Sequence, residues 1–195
     1  MEILAEDGNT PLSDEELADL KANLSTKEEL NEWESENILA ATKWALDPKN
    51  VVNEQLVGEP YLRELHQRMF GETWKWAGKY RLTEKNIGVL AHEIQQRLGE
   101  LLGDVRYWIE HRTYDADEIA IRLHHRLVAI HPFPNGNGRH ARLIADVVAV
   151  KLGSKLFSWG NHDLVHEGEA REAYIAAIRE ADKGDYRPIL KFARS

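Results

Sequence analysis

The chain has 195 residues and no cysteine, so no disulfide bond can stabilise it. It also lacks a long apolar run, since the stretch from Leu143 to Val150 is interrupted by Asp146 and is too short to span a membrane. Positive charge is in the minority, with 25 Lys and Arg residues against 33 Asp and Glu residues and a net charge of −8. Because phosphate backbones bind basic surfaces, this balance argues against nucleic acid as a partner.

The first residues show no secretory signal pattern, and together with the missing cysteines this predicts a cytoplasmic protein without a membrane partner. Hydrophobic residues make up 43% of the chain, which is enough to bury one sizeable core. We interpret the sequence as one domain, residues 49–195, preceded by an arm and a helix in residues 1–48.

Two capping boxes, which begin at Ser13 and Thr26, predict the first two helices. The second should end near Leu46, just before a proline. Asn37 lies inside its apolar stripe and Glu36 lies at the edge of that stripe. The stripe predicts packing against the domain, and its members are Leu30, Trp33, Ala40, Ala41 and Trp44. The acidic residues of this helix are interpreted mostly as a solvated face, and they are Glu28, Glu29, Glu32, Glu34 and Glu36.

Apolar periodicity and stop residues predict the later helices. They span Glu59–Phe70, residues 91–104 with a continuation toward 110, 115–130, 138–152, 169–183 and 188–194. Residues 81–90 have short-strand character around Asn86, Ile87 and Gly88, which predicts a β-hairpin or extended flap. The fold class is therefore mainly α with a small β flap. His124 and His125 are interpreted as structural rather than as metal ligands.

The chain is organised around residues 129–142. An apolar helix leads into His131, whose imidazole can act as a base. A loop rich in glycine and asparagine follows, and the helix that begins near Gly138 offers unpaired N–H groups to an anion. Arg139 and Arg142 lie on one side of that helix start. Together these features indicate phosphoryl or nucleotidyl chemistry.

A structural interpretation of the same residues is also available. Each feature occurs alone in many proteins, and His131, Pro132 and Phe133 could simply pack in a core before an ordinary turn. The order and density of the features favour a functional site over this alternative.

Residues 131–142 resemble the signature of the Fic (Fic/Doc) family, His-Pro-Phe-x-(Asp/Glu)-Gly-Asn-Gly-Arg-x-x-Arg, with Asn135 in the place of the acid. The order of elements from about Asn50 to Ala193 is also similar to a Fic domain. The whole chain is similar to the Fic subgroup called mobile mystery protein B. The resemblance implies a Fic-type helical bundle with a β-hairpin flap and an N-terminal helical extension.

The resemblance also implies protein adenylyl transfer. AMP would move from ATP to a Ser, Thr or Tyr hydroxyl of a target protein, or of the enzyme itself, with release of pyrophosphate. His131 would be the catalytic base and Phe133 would anchor the loop. The family's nucleotide-binding positions fall on Gly136, Asn137, Gly138, Arg139 and Arg142, and its target-docking flap falls on Arg81, Asn86, Ile87 and Gly88.

Two positions modify this expectation. In the family the acid at the place of Asn135 holds Mg²⁺, and a neutral amide is a poorer ligand, so weak Mg²⁺ binding, altered chemistry or low activity are all open. Gly138 favours nucleotidyl transfer, because relatives with lysine there bind ATP reversed and phosphorylate instead. The alternative function is an inactive or altered relative that acts as a nucleotide- or partner-binding module.

The resemblance further predicts autoinhibition. Glu36 and Asn37 match the end of the family's inhibitory pattern, (Ser/Thr)-x-x-x-Glu-(Gly/Asn), although Glu32 stands at its first position. The expectation is that Glu36 pairs with Arg142 and occupies the guanidinium that should hold the γ-phosphate. A solvated helix face is the competing interpretation of Glu36.

Overall fold

The computed structural model describes residues 12–21, 26–50, 57–161 and 168–195. Those residues form eight α-helices and two short 3₁₀ turns, at Ala91–Glu93 and Trp159–Asn161. The helices are α1 (Asp14–Leu17), α2 (Lys27–Leu46), α3 (Glu59–Phe70), α4 (Ile94–His111), α5 (Ala116–Ile130), α6 (Asn137–Lys151), α7 (Glu169–Asp182) and α8 (Arg187–Arg194). The expected mainly α class is confirmed. No helix within the described ranges is both long and apolar enough to cross a membrane.

The helix starts follow the caps in the sequence. Ser13 and Thr26 each form a complete capping box, in which the cap and the glutamate three residues later bond to each other's backbone N–H. Asp115 caps α5 through its side chain. The predicted continuation of α4 is confirmed, since the helix runs to His111 and stops where Arg112 adopts a φ of 50°.

The centre of the bundle is α6, which is buried on nearly every side. It packs along α5 and also contacts α2 and α3. Each buried Val, Leu or Ile side chain stabilises the fold by about 1.5–3 kcal/mol relative to an exposed one. The first turn of α6 is therefore held firmly between neighbouring helices. The buried apolar residues of α6 are Ala141, Leu143, Ile144, Ala145, Val147, Val148 and Ala149.

The buried face of α2 differs from the predicted stripe. Trp33 is 44% exposed, whereas Glu34 is 5% exposed. The prediction that Glu34 belongs to the solvated face is therefore wrong, because its carboxylate has buried partners that are described below. Asn37 is half-buried and donates to Thr73 Oγ1 at 3.2 Å, so its predicted need for a partner is met. The buried residues of α2 are Leu30, Glu34, Ala41 and Ala45, and three partly buried residues also pack against the core, namely Ile38, Trp44 and Leu46.

Residues 12–21 lie against the loop that follows α3. An isolated antiparallel bridge joins Leu20 to Trp74. Glu16 of α1 accepts a hydrogen bond from Lys85 at 2.5 Å, which ties this segment to the expected flap. The earlier part of the predicted N-terminal arm, residues 1–11, lies outside the described residues.

Residues 81–90 were predicted to form a β-hairpin or an extended flap, and the structure contradicts the hairpin. Residues 82–90 contain no strand. The guanidinium of Arg81 instead donates to the backbone carbonyls of Thr83, Val89 and His131. Because one buried side chain takes these acceptors, the loop is closed without cross-strand pairing. We call residues 82–90 the flap from here on.

Candidate active site

His131 follows the last residue of α5 and has the left-handed backbone conformation, with φ 55° and ψ 59°. The residue is 6% exposed. Burial, and next the positive charge of Arg81, lower the pKa of His131 to about 4. The imidazole is therefore neutral at pH 7, which is the form that can accept a proton from a hydroxyl group.

The loop between His131 and α6 is closed by its own residues. Asn137 accepts the N–H of Phe133 at 2.9 Å and donates to the carbonyl of Phe133 at 2.8 Å. Gly136 precedes α6 with a φ of 76°, and a Cβ there would lie 2.5 Å from the ring of Phe70. Only glycine fits at this position, both for its backbone conformation and for the close ring.

The first turn of α6 offers backbone N–H groups at the place where the sequence predicts an anion site. The helix begins at Asn137, so the N–H groups of Asn137 and Gly138 have no acceptor within the helix. A Cβ on Gly138 would meet only Arg142 Nη1, at 3.8 Å, so the space beside this turn is open. Gly136, in contrast, donates its N–H to Asn135 Oδ1 at 2.5 Å. An anion at this helix end would therefore be met by Asn137 and Gly138.

Phe133, the predicted loop anchor, is fully buried between two histidines. It stacks on His66 with ring centroids 3.7 Å apart and forms a T-shaped pair with His140, whose ring centroid lies 5.1 Å away. His66 Nδ1 accepts the N–H of Gly78 at 3.0 Å, so its Nε2 carries the proton and donates to the carbonyl of Asn135 at 3.1 Å. Burial holds the pKa of His66 well below its ordinary value. This neutral histidine fixes the motif loop to the loop after α3.

Arg139 forms an ion pair with Glu34 of α2, with 2.5 Å between Nη1 and Oε2. The other carboxylate oxygen accepts the indole N–H of Trp74 at 2.6 Å. The side chains of Arg139 and Glu34 are 22% and 7% exposed, so solvent screens their attraction little. The guanidinium also lies 4.8 Å from the ring centroid of Phe70. An arginine predicted to hold a phosphate is thus occupied by a carboxylate.

The predicted regulatory residue, Glu36, is exposed at the surface. The carboxylate that reaches a motif arginine belongs to Glu34, and the arginine is Arg139 rather than Arg142. Two residues along an α-helix correspond to a rotation of roughly 200°, which puts Glu34 and Glu36 on opposite sides of α2. The predicted position of the pairing glutamate is therefore corrected from Glu36 to Glu34.

Arg142 faces α7 instead of α2. Its guanidinium lies 5.6 Å from the ring centroid of Tyr174. The hydroxyl group of Tyr174 also bonds to His124 Nε2 at 2.9 Å. Asp146 lies one turn beyond Arg142, and burial raises its pKa to about 6. The two arginines of the motif therefore share a helix side but have separate partners.

Asn135 stands at the predicted magnesium position and offers a neutral oxygen there. Asn135 Oδ1 is neutral and accepts the N–H of Gly136 at 2.5 Å. Within the ranges that the structure describes, no group of three or more His, Cys, Asp or Glu residues could hold a metal ion. His125, a residue that invites a metal interpretation, instead contacts Asp182 at 2.8 Å.

The predicted docking residues fall into two environments. Asn86, Ile87 and Gly88 are exposed on the flap, whereas Arg81 is 2% exposed and lies beneath it. The prediction that Arg81 forms part of the docking surface is therefore wrong. A Cβ on Gly88 would lie 2.7 Å from the Cβ of His131, so the flap backbone touches the histidine.

Sequence reasoning missed the parts played by Glu34 and His66. His66 could have been found, since it lies on the face of α3 that also carries Leu62 and Met69, and a histidine on an apolar helix face needs hydrogen-bond partners. Glu34 offered no such signal, because it is one of several glutamates in the same helix.

Residues 57–149 match the family model described as the Fic/DOC family, so the chain carries a Fic/DOC family domain. Solved structures share its fold. The N-terminal Fic domain of a VirB-translocated Bep effector protein from Bartonella quintana has a TM-score of 0.71 at 19% identity, with 90% of this chain and 85% of that chain covered. The BepC protein of Bartonella tribocorum with bound AMPPNP has a TM-score of 0.68 at 18% identity, with 97% and 93% covered.

The relatives include named enzymes. The protein adenylyltransferase fic-1 of Caenorhabditis elegans is 30% identical over 133 residues, which are 66% of this chain and 25% of that protein. The chain thus spans about a quarter of the length of this curated relative. The closer subgroup, mobile mystery protein B, and the domain boundary at residues 48 and 49 stay predictions.

Proposed function

We propose that this chain is a protein adenylyltransferase that transfers AMP from ATP to a hydroxyl group of a protein target. The observation that carries the proposal is the arrangement at the first turn of α6. A buried, neutral His131 precedes free helix N–H groups, and Arg139 and Arg142 follow on the same turn. The relatives that are named adenylyltransferases support this choice of reaction.

The site residues divide the reaction between them. His131 takes the proton from the target hydroxyl as its oxygen attacks the α-phosphorus. The bond from that phosphorus to the bridging oxygen of the β-phosphate breaks, and pyrophosphate leaves with the bonding electrons. The N–H groups of Asn137 and Gly138 stabilise charge on the α-phosphate, and Arg139 and Arg142 bind the outer phosphates.

ATP labelled at the α-phosphate or at the γ-phosphate distinguishes AMP transfer from phosphorylation. AMP transfer places the α-phosphate on protein, whereas phosphorylation places the γ-phosphate there. We expect label only from α-labelled ATP, on the chain itself or on a protein of a cell lysate. ATP binding without transfer of either label would favour the alternative, a nucleotide-binding module, and transfer of the γ-label would show that ATP binds reversed.

Magnesium is proposed to arrive with ATP, coordinated by its phosphates rather than by the protein. Asn135 then contributes at most one neutral ligand. We predict that Asn135→Asp lowers the Mg²⁺ concentration for half-maximal activity, because a carboxylate binds a hard cation more tightly, and that it raises the rate. A Mg²⁺ titration of both proteins measures this, and identical curves would show that the metal is not held from position 135.

The exposed part of the flap is proposed to dock the target by backbone pairing. Ile87→Pro should reduce target modification by about tenfold or more while ATP affinity changes little, because proline removes a backbone donor. Ile87→Ala is the matched control, since it removes the side chain but keeps the N–H group. Equal losses of target modification and ATP binding in Ile87→Pro would show that the segment is structural.

Autoinhibition is proposed to act through Glu34. The carboxylate occupies Arg139, so bound ATP would lack one of its two phosphate-binding guanidinium groups. Release of α2 or a substitution of Glu34 would make Arg139 available. Auto-modification, a cytoplasmic location and the absence of a nucleic-acid partner stay predictions of the sequence.

A further inference from the structure

Arg81 is a buried arginine whose guanidinium donates to three backbone carbonyls, of which one belongs to His131. Its side chain has no solvent exposure. Nε donates to the carbonyl of His131 at 2.7 Å, Nη1 donates to Thr83 at 2.9 Å, and Nη2 donates to Val89. One guanidinium therefore connects the histidine to both ends of the flap.

The backbone of Arg81 strengthens the same connection. Its N–H donates to the carbonyl of Pro132 at 2.9 Å, directly after the histidine. Val89 in turn donates to the carbonyl of Ile130 at 3.3 Å, directly before it. The carbonyls of three successive residues, 130 to 132, are thus held by Arg81 and Val89.

Burying a cation in this place is costly. Removing a guanidinium from water costs several kcal/mol unless its donors find acceptors, and an apolar side chain could fill the same volume without that cost. The neighbouring carboxylate of Glu84 lies 3.7 Å away and is 58% exposed, so it offsets little of the cost. This cost must therefore be offset by the backbone groups that the guanidinium holds in place.

The guanidinium of Arg81 holds His131, whose backbone conformation is strained. A residue with a side chain in the left-handed conformation costs roughly 1–2 kcal/mol, and His131 has a φ of 55°. The flap backbone also packs on its side chain, because a Cβ on Gly88 would lie 2.7 Å from His131 Cβ and 2.9 Å from Arg81 Nη2. Arg81, Gly88 and His131 therefore form one packed unit.

We propose that Arg81 is a positioning residue, whose buried fork fixes the His131 backbone and the flap as one body so that base and target are aligned together. The proposal rests on the adenylyl transfer proposed above. It assigns to Arg81 a part distinct from target contact, since the side chain is inaccessible to a docked protein.

The first test compares two arginines that both donate to backbone carbonyls. Arg81→Lys keeps the charge but loses the fork, and the matched control is Arg106→Lys, since Arg106 donates to the carbonyl of Val57 at 2.9 Å, outside the site. We expect Arg81→Lys to lower kcat by about tenfold to a hundredfold with KM for ATP within about twofold, because small misplacement of reacting groups is costly. Arg106→Lys should leave both constants unchanged.

Two readouts do not depend on activity. Amide hydrogen exchange at Val89 should become faster by about tenfold in Arg81→Lys, because the flap loses hydrogen bonds from the guanidinium. It should stay unchanged in Arg106→Lys. An NMR titration of the His131 imidazole should show a pKa raised toward the ordinary value in Arg81→Gln, which removes the charge, and a low pKa in Arg81→Lys. Lys85 is the other cation that lowers the pKa of His131, and it is kept in both variants.

The outcomes separate the two proposals. A wild-type chain that transfers no label would overturn the proposed function. Val89 exchange and the His131 titration would still test whether Arg81 positions His131 and the flap. If Arg81→Lys keeps the kcat and the Val89 exchange rate of the wild-type chain, the positioning role is overturned. A lower Tm with an unchanged kcat in this variant would overturn it as well. If Arg81 variants do not fold, Gly88→Ala keeps the arginine itself, but its Cβ would force the flap away from both His131 Cβ and Arg81 Nη2. It should lower kcat in the same way, and an unchanged kcat would overturn the proposal.

Discussion

Replacing His131 by alanine is expected to lower kcat for AMP transfer by at least about a hundredfold, while ATP affinity stays within a few-fold of wild type. The buried imidazole is the group proposed to take the hydroxyl proton. The groups proposed to bind phosphate are the first-turn N–H groups of α6 and the two motif arginines, which this substitution leaves in place. Transfer of the α-label and calorimetric ATP binding measure the two quantities separately.

The pH dependence follows from the environment of His131. A base acts in its deprotonated form, and burial together with Arg81 lowers the pKa of His131 to about 4. An ordinary histidine would lose activity as the pH falls through about 6.5. We expect the rate of AMP transfer, which requires deprotonated His131, to stay constant from pH 7 to about pH 5 and to fall at lower pH. Circular dichroism at each pH shows whether the chain remains folded.

His92→Ala is the matched control for His131→Ala, because His92 is exposed on the 3₁₀ turn before α4. It should change neither transfer nor binding. A parallel loss of ATP affinity and transfer in His131→Ala would mean that the histidine holds the loop rather than the proton. Retained transfer would mean that another group is the base.

Local signals predicted most of the helical architecture. Capping boxes placed the starts of α1 and α2, and Asp115 placed the start of α5, because each cap satisfies N–H groups within three residues of itself. The motif between α5 and α6 was recognised for a similar reason. Gly136 of the motif is required because a Cβ there would collide with the ring of Phe70 in the adjacent α3.

Contacts between distant segments could not be read from local patterns. Glu34 is buried because Trp74 and Arg139, far along the chain, both bond to its carboxylate, and nothing in the pattern of α2 distinguishes it from Glu36. The short-strand character of the flap predicted a hairpin or an extended segment. Arg81 replaces strand pairing by taking the flap carbonyls itself, which short-range propensity does not encode.

Replacing Glu34 by glutamine is expected to raise auto-modification by about tenfold to a hundredfold. For ATP to use Arg139, the arginine must leave Glu34, and an unpaired buried carboxylate costs about 3–5 kcal/mol. Glutamine has no charge to leave unpaired, and its carbonyl oxygen can still accept the indole N–H of Trp74. The substitution therefore frees Arg139 while keeping the packing of α2. Transfer of the α-label and KM for ATP, which should fall, measure the effect.

Glu36→Gln is the matched control for Glu34→Gln, since it makes the same change on the exposed side of the same helix and should leave the rate at the wild-type level. Adding Arg139→Ala to Glu34→Gln should remove the gain, because the freed guanidinium is the group proposed to bind the phosphate. An equal rise in both glutamine variants would point to a general loosening of α2. An unchanged rate in Glu34→Gln, with its fold intact, would mean that the ion pair with Arg139 stabilises the bundle and does not restrain the enzyme.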